Sequence, residues 1–465
     1  MAKLMRCPFC GLLQDEPSGV KECKRCGGQL EFDAGQLPGS TSYVQIQMEL
    51  DQVAAPAGRN GERHLLLTIR TPDKVPAEDA VPGGKERPPI NFTAVLDVSG
   101  SMQGEKIEQV KDALIRAVRF LREGDIFSLE TFGNHSTTIF NAEEVTRSTR
   151  DEFLAKITRL CAGGMTALWQ GLNAGIDDAR EKPRTNNLLL LLSDGQANVG
   201  ETDLEVIGQA AAKAREKNLI VSALGVGDDY NEALITEVAT QGGGRYYHIE
   251  EARQIPIFVA GELGEVASLA AREVKIKLTL PQGATLLPFT AAYPVQQAGS
   301  EAEILVGDIP CDTELEVPLR LAFLAHKKDS RLSVEGALEF KSPVDKAHNV
   351  PINRVTVRFT DPQAFQLREG IVMPVAEKVF AQMKAASVIG VSRVRAMRPS
   401  EAVQSTNMAI NSLREYANLL GGDLAEKEMS DAAEELHALG LSSSAAKHSV
   451  SRAAAHIRSI KDFLG

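Results

Sequence analysis

Residues 94–104, AVLDVSGSMQG, run apolar into Asp97 and then set Ser99 and Ser101 at alternate positions. Alternate side chains of extended backbone point the same way, so a carboxylate and two hydroxyls face one point. Alone, the triplet also describes a polar turn, because Asp and Ser hydrogen-bond nearby amides. The elements around it decide. From residue 90 to about 272 strand-like apolar runs (INFTAVLD, IFSLETFG, TTIFN, NNLLLLLSDG, LIVSALGVG, GRYYHIE) alternate with helical periods such as GEKIEQVKDALIRAVRFL and TDLEVIGQAAAKAREK. Runs apolar at consecutive positions, like NNLLLLL, fit strands covered on both faces. The pattern predicts an α/β fold: a doubly wound, mostly parallel sheet of about six strands.

Outside that block the period changes. Residues 43–50 and 64–70 alternate like strands, and the Pro/Gly-rich PDKVPAEDAVPGGKERPP marks a boundary near residue 88. From residue 273 the runs EVKIKLTL, EILVGDI, ELEVPLRLAFLA, RLSVEGALEF and RVTVRFTD return to a period of two. Five strands leave a poor edge, and the two earlier ones bring seven. We therefore expect one β-sandwich built from residues 43–87 and 273–361, with the α/β domain (88–272) inserted; two separate β pieces are the rival arrangement. Residues 365–465 turn Ala-rich and helical, predicting a small bundle or hairpin pair. Its Met and Leu positions read as core.

CPFCG and CKRCGG near the amino terminus give Cys7-x2-Cys10 and Cys23-x2-Cys26. Four thiolates at this spacing suit a closed tetrahedral Zn²⁺ site, with iron as the alternative. Residues 1–32 resemble the zinc ribbons and zinc knuckles at the ends of many bacterial proteins, which commonly act as adaptors. With every ligand position filled, such a metal is structural. Lys3, Lys21, Lys24 and Arg25 make this corner locally basic, as a solvated face. Cys161 and Cys311 stand alone and are expected as small buried apolar side chains.

The net charge of -11 argues against a broad nucleic-acid footprint. There is no run of about twenty uncharged apolar residues, and MAKLMRCPFCG lacks the apolar core of a signal peptide. A cytoplasmic protein without membrane contact is expected.

Ligands of open parallel sheets sit outside the carboxyl ends of the strands. Three loops there carry oxygen donors: Asp97, Ser99 and Ser101; Thr166 after Gly163 and Gly164; and Asp194 followed by Gly195. Hard oxygens suit Mg²⁺, Mn²⁺ or Ca²⁺. The ordered set resembles the metal-ion-dependent adhesion site (MIDAS) of von Willebrand factor A (VWA) domains, over residues 88 to about 260. The resemblance implies that Ser99 and Ser101 bind the cation directly and that Thr166 joins when ligand arrives. Asp97 and Asp194 would hold metal-bound waters, leaving the cation open to an acidic residue of a protein partner.

In general plan the chain also resembles bacterial proteins like the inter-α-trypsin inhibitor chains, and the integrin β arrangement. Partners implied by that likeness include AAA-type ATPases, or a second copy whose acidic residue fills the site in self-assembly. A metal-dependent scaffold or adaptor, not an enzyme, is the expected function. The alternative, phosphoryl transfer on Asp97, wants a second Asp two residues on, where Ser99 stands. Nucleic-acid binding through the ribbon is a further alternative that the acidic total opposes. Singly, Thr166 reads as a helix cap and Asp194-Gly195 as a turn. His64, His135 and His248 are read without a ligand role, and GVGDDYNEALI as loop and helix cap.

Overall fold

The computed structural model describes residues 3–6, 13–16, 42–80, 87–440 and 443–459. Cys7, Cys10, Cys23 and Cys26, and with them the expected ribbon's metal site, lie outside the described residues. Strands β1 (Lys3–Arg6) and β2 (Leu13–Glu16) pair antiparallel. They are followed by β3 (Gln45–Leu50), β4 (Ala54–Pro56) and β5 (Gly61–Arg70). Two compact units divide the chain: Met1–Asp79, Ala270–Ala386 and Met408–Ala433 make one, and Ala80–Leu269, Ser387–Asn407 and Glu434–Gly465 the other.

The second unit holds the α/β domain. Its order is β6 (Ile90–Asp97), α1 (Glu105–Phe120), β7 (Ile126–Phe132), β8 (Ser136–Glu144), α2 (Arg147–Ile157), α3 (Leu168–Glu181), β9 (Asn186–Ser193), α4 (Leu204–Arg215), β10 (Ile220–Val226), α5 (Glu232–Gln241), β11 (Gly243–Ile249) and α6 (Ile255–Ala267). The sheet runs β11-β10-β9-β6-β7-β8, parallel except for the edge strand β8. Strands β6, β7 and β9 are buried at every position, as their apolar runs require. Val110, Leu114 and Val118 of α1 share a core with Phe153 of α2 and Phe258 and Leu263 of α6. Helix α3 lies very close to the sheet: a Cβ on Gly171 would stand 2.6 Å from the Phe132 ring, and one on Gly175 2.3 Å from Val95. From β6 the chain steps to β7 on one side and later to β9 on the other, so the strand order reverses at β6. The carboxyl ends of β6 and β9 therefore flank the crevice that this topology opens for ligands.

The first unit is built on β strands. After the α/β domain come β12 (Leu269–Thr279), β13 (Ala284–Pro288), β14 (Val295–Ala298), β15 (Glu301–Pro310), β16 (Glu314–Phe323), β17 (Arg331–Lys341) and β18 (Ala347–Thr360). They join the early strands in two sheets, β14-β15-β12-β17-β18-β4 and β13-β16-β5-β3. Strand β5 pairs with β16 from Arg70↔Glu314 to Gly61↔Phe323, so sequence on both sides of the α/β domain meets in one sheet. Strands β4, β13 and β14 were absent from the expected seven. They span three to five residues each, too few for a period to declare itself.

The chain ends in α7 (Met373–Met397), α8 (Ala402–Leu420), α9 (Gly422–Ala438) and α10 (Ser443–Arg458). In the α/β unit, buried Lys447 of α10 stands 3.7 Å from Glu232 and lies over the Tyr230 ring. Cys161 and Cys311 depart from expectation: Cys161 is exposed and Cys311 half-buried. Both sit in connections, Cys161 between α2 and α3 and Cys311 between β15 and β16, where no core surrounds them. Among the described residues no helix is long and apolar enough to cross a membrane.

Candidate functional site

The carboxyl ends of β6 and β9 and the loop before α3 meet at one rim. Asp97 ends β6, and its Oδ1 accepts the Ser99 N–H at 2.8 Å while Oδ2 accepts the Ser193 hydroxyl at 2.6 Å. The Ser99 and Ser101 hydroxyls are 3.0 Å apart, and Ser101 donates to Asp194 Oδ1 at 2.7 Å. The backbone holds this register. Gly100 N–H donates to the Gly164 carbonyl at 3.0 Å, Gly163 N–H to Val98 at 2.7 Å and Ala167 N–H to Gly133 at 2.9 Å. Gly164, at φ +92°, takes the left-handed turn that passes beneath Asn134.

Thr166 is clamped by Asn198, whose Oδ1 accepts its N–H at 2.9 Å and whose N–H donates to its carbonyl at 3.2 Å. Its hydroxyl does not cap α3, whose N-cap position is Ala167 with no side-chain cap hydrogen bond. Asn231 does cap its helix, accepting the Leu234 N–H at the start of α5.

Gly195 locates the convergence. A Cβ placed there would be 3.3 Å from Thr166 Oγ1, 3.5 Å from Ser101 Oγ and 3.8 Å from Asp97 Oδ2. Oxygens from two loops thus surround one point on the third, which the missing side chain of Gly195 leaves open. Asp97, Ser99, Thr166 and Asp194 are buried, and Ser101 is exposed at the mouth. All five predicted positions come together.

Burial pushes the Asp97 carboxyl above its ordinary range despite the hydrogen bonds from Ser193 and Ser99, and the charge of Asp194 adds to the rise. Two carboxylates and three hydroxyls form an all-oxygen donor set, which fits a hard divalent cation. No group of three or more His, Cys, Asp or Glu side chains gathers for a metal among the described residues. The hydroxyls of Ser99, Ser101 and Thr166 would therefore be indispensable to holding one.

Sequence reasoning missed Ser193, Asn198 and Lys106. Lys106 forms an ion pair with Asp194 Oδ2. Its signal was available: a cation in the first turn of α1 opposes the helix dipole and calls for a partner. The histidines serve elsewhere. His64 Nδ1 lies 2.7 Å from Asp51, His248 Nδ1 lies 2.7 Å from the Tyr230 hydroxyl, and His135 is exposed.

Residues 91–260 match the von Willebrand factor type A domain family. Among curated proteins, inter-alpha-trypsin inhibitor heavy chain H3 of Mesocricetus auratus is 29% identical over 231 residues, 48% of this chain and 26% of that one. The uncharacterized protein sll0103 of Synechocystis is 29% identical over 246 residues, 50% of this chain and 57% of that one. The chain thus spans between about a quarter and somewhat over half of the length of these relatives. Two solved structures share the fold over 90% of this chain. A von Willebrand factor type A protein from Catenulispora acidiphila, with 98% of its chain covered, has a TM-score of 0.63 at 16% identity. The ArnB paralog VWA2 from Sulfolobus acidocaldarius, with 99% covered, has 0.54 at 15% identity. The six-stranded sheet, its helices and the family match agree, and the chain contains a von Willebrand factor type A domain at residues 91–260.

Proposed function

We propose that the rim of this domain is a MIDAS that binds Mg²⁺, or Mn²⁺ or Ca²⁺ in its place, and that the protein is a metal-dependent scaffold or adaptor for a partner bearing an exposed carboxylate. The observation that carries the reading is the convergence of Asp97, Ser101 and Thr166 oxygens around the open position at Gly195. When bound, the cation would supply a Lewis-acidic centre that accepts an anionic oxygen.

The chain's own residues do the rest. Ser99, Ser101 and Thr166 offer neutral donors, which leave positive charge uncancelled. Ser193 fixes the orientation of Asp97, and Asn198 fixes the loop of Thr166. A binding role is favoured over a catalytic one because both Asp97 oxygens are engaged and the side chain is fully buried, a poor setting for a nucleophile.

The same proposal takes the partner to be an AAA-type ATPase or a second copy of this chain. It includes a structural Zn²⁺ site at Cys7, Cys10, Cys23 and Cys26, resting on their spacing, and a cytoplasmic setting where thiolates stay reduced. It also reads the two sheets of the first unit as one β-sandwich interrupted by the VWA domain, and the helices after residue 365 as a further contact surface. The β5–β16 pairing supports that architecture.

Capture of partners by the tagged full chain from its native cell tests the function. Recovery is expected with Mg²⁺ or Mn²⁺ and should vanish in chelator and in the Ser99→Ala/Ser101→Ala double variant. Equal recovery with and without chelator would sink the mechanism.

A further inference from the structure

Asp194 is engaged on both sides. Ser101 donates to its Oδ1 at 2.7 Å, and the Lys106 ammonium pairs with its Oδ2. The carboxylate is wholly buried, whereas the lysine side chain keeps 26% exposure. Asp97, the other carboxylate of the rim, is met by Ser99 and by the Ser193 hydroxyl, and among the described residues no ion pair reaches it. The cluster therefore holds one positive charge of its own against two negative ones.

That charge sits on a flexible four-carbon stem. Lys106 projects from the first turn of α1, where the helix dipole gives it no support. Its Nζ lies 3.7 Å from where a Cβ on Gly227 would stand, so the ammonium rests against the loop after β10. A buried carboxylate without a counter-charge is strongly unfavourable, and Lys106 removes that penalty when no other cation is present. A divalent ion at the rim would meet the ammonium at close range, where like charges repel.

We propose that Lys106 is a tethered cation that neutralises Asp194 in the metal-free protein and swings away when a divalent ion binds, so that metal loading is an exchange of cations. The inference rests on the reading of the rim as a divalent-cation site and adds to it. The exchange weakens the intrinsic affinity for metal, which sets occupancy by the available concentration.

Two measurements on the full chain test this. Mn²⁺ is titrated into the wild type and Lys106→Met, with binding read by calorimetry or by the loss of free-ion magnetic resonance signal. Lys106→Met is expected to bind Mn²⁺ at least about tenfold more tightly, from removal of a unit charge at contact distance. Separately, lysine acetylation of the wild type is followed by mass spectrometry with and without Mg²⁺. Lys106 is expected to react faster when Mg²⁺ is present, while Lys111, paired with Glu108 on the same helix, stays unchanged.

Equal Mn²⁺ affinities, or a Lys106 reactivity that ignores Mg²⁺, would overturn the exchange while leaving the metal site standing. A wild type that binds no Mn²⁺ would overturn both readings. If Lys106→Met fails to fold, the labelling of the wild type decides alone.

Discussion

At the scale of single residues, the site depends on what is absent at Gly195. Its backbone is not in the left-handed region, so a methyl group is conformationally allowed there, and the three atoms nearest to it would be oxygens of the rim. Gly195→Ala is therefore expected to abolish divalent-cation binding while leaving the metal-free unfolding free energy within about 0.5 kcal/mol of wild type, as for changes that disturb no core packing. Calorimetric titration and urea unfolding read the two halves. A second residue-scale prediction concerns Glu130 and Asp178. Burial, with the charge of neighbouring carboxylates, lifts Glu130 to about 7 and Asp178 to about 6. Protonated carboxyls fit this interior, so their contribution is full below the ordinary carboxylate range and is lost as pH climbs through 6 and 7. Glu130→Gln should stabilise the protein near pH 8 by about 1–2 kcal/mol and change nothing near pH 4, measured by urea unfolding. Asp97, Ser99, Ser101 and Asp194 stand out in the sequence by residue type and position after a strand, and Thr166 by the two glycines before it in the loop that leads into α3. Ser193 and Asn198 act through contacts across loops that no short spacing announces, and Lys106 is marked only as a cation in the first turn of α1.

At the scale of elements, close packing of α3 carries the clearest consequence. Alanine in a helix is ordinarily better than glycine by about 0.5–1 kcal/mol. At Gly175 the new Cβ would fall 2.3 Å from Val95 on the central strand, so overpacking outweighs propensity. Gly175→Ala is expected to cost about 1–3 kcal/mol in urea unfolding. The helices and central strands of the VWA domain were readable because burial on both faces writes continuous apolar runs, as in β9. Strand β4, with three residues ending in Pro56, and β14, Val-Gln-Gln-Ala, exist because a neighbour pairs with them. Pairing of that kind is tertiary and leaves little local trace.

At the scale of the whole molecule, each compact unit draws on segments far apart in sequence. In the first unit, buried Asp51 accepts the His64 N–H at 2.9 Å and the Tyr416 hydroxyl at 3.1 Å, and faces His64 Nδ1 at 2.7 Å. That carboxylate joins the end of β3, strand β5 and helix α8. Tyr416→Phe removes one hydrogen bond to a charged acceptor and is expected to cost about 1.5–3 kcal/mol, read by urea unfolding. Asp79 pairs with His348 and Lys346, and Arg272 with Asp345. The points where the chain leaves and rejoins this unit are thus both fastened at the β17–β18 connection. The change of period near residues 88 and 273 is visible in the sequence, but the fastening is not, since those charges look like any solvated loop.

Titration of Mn²⁺ into the full chain and into its Ser99→Ala/Ser101→Ala variant reaches the central claim most directly. The expected result is saturable binding at the rim in the wild type, lost in the variant, with an unchanged far-ultraviolet circular dichroism spectrum. A wild type that takes up no cation, or a folded double variant that binds it as tightly, would contradict a metal site built on hydroxyl oxygens.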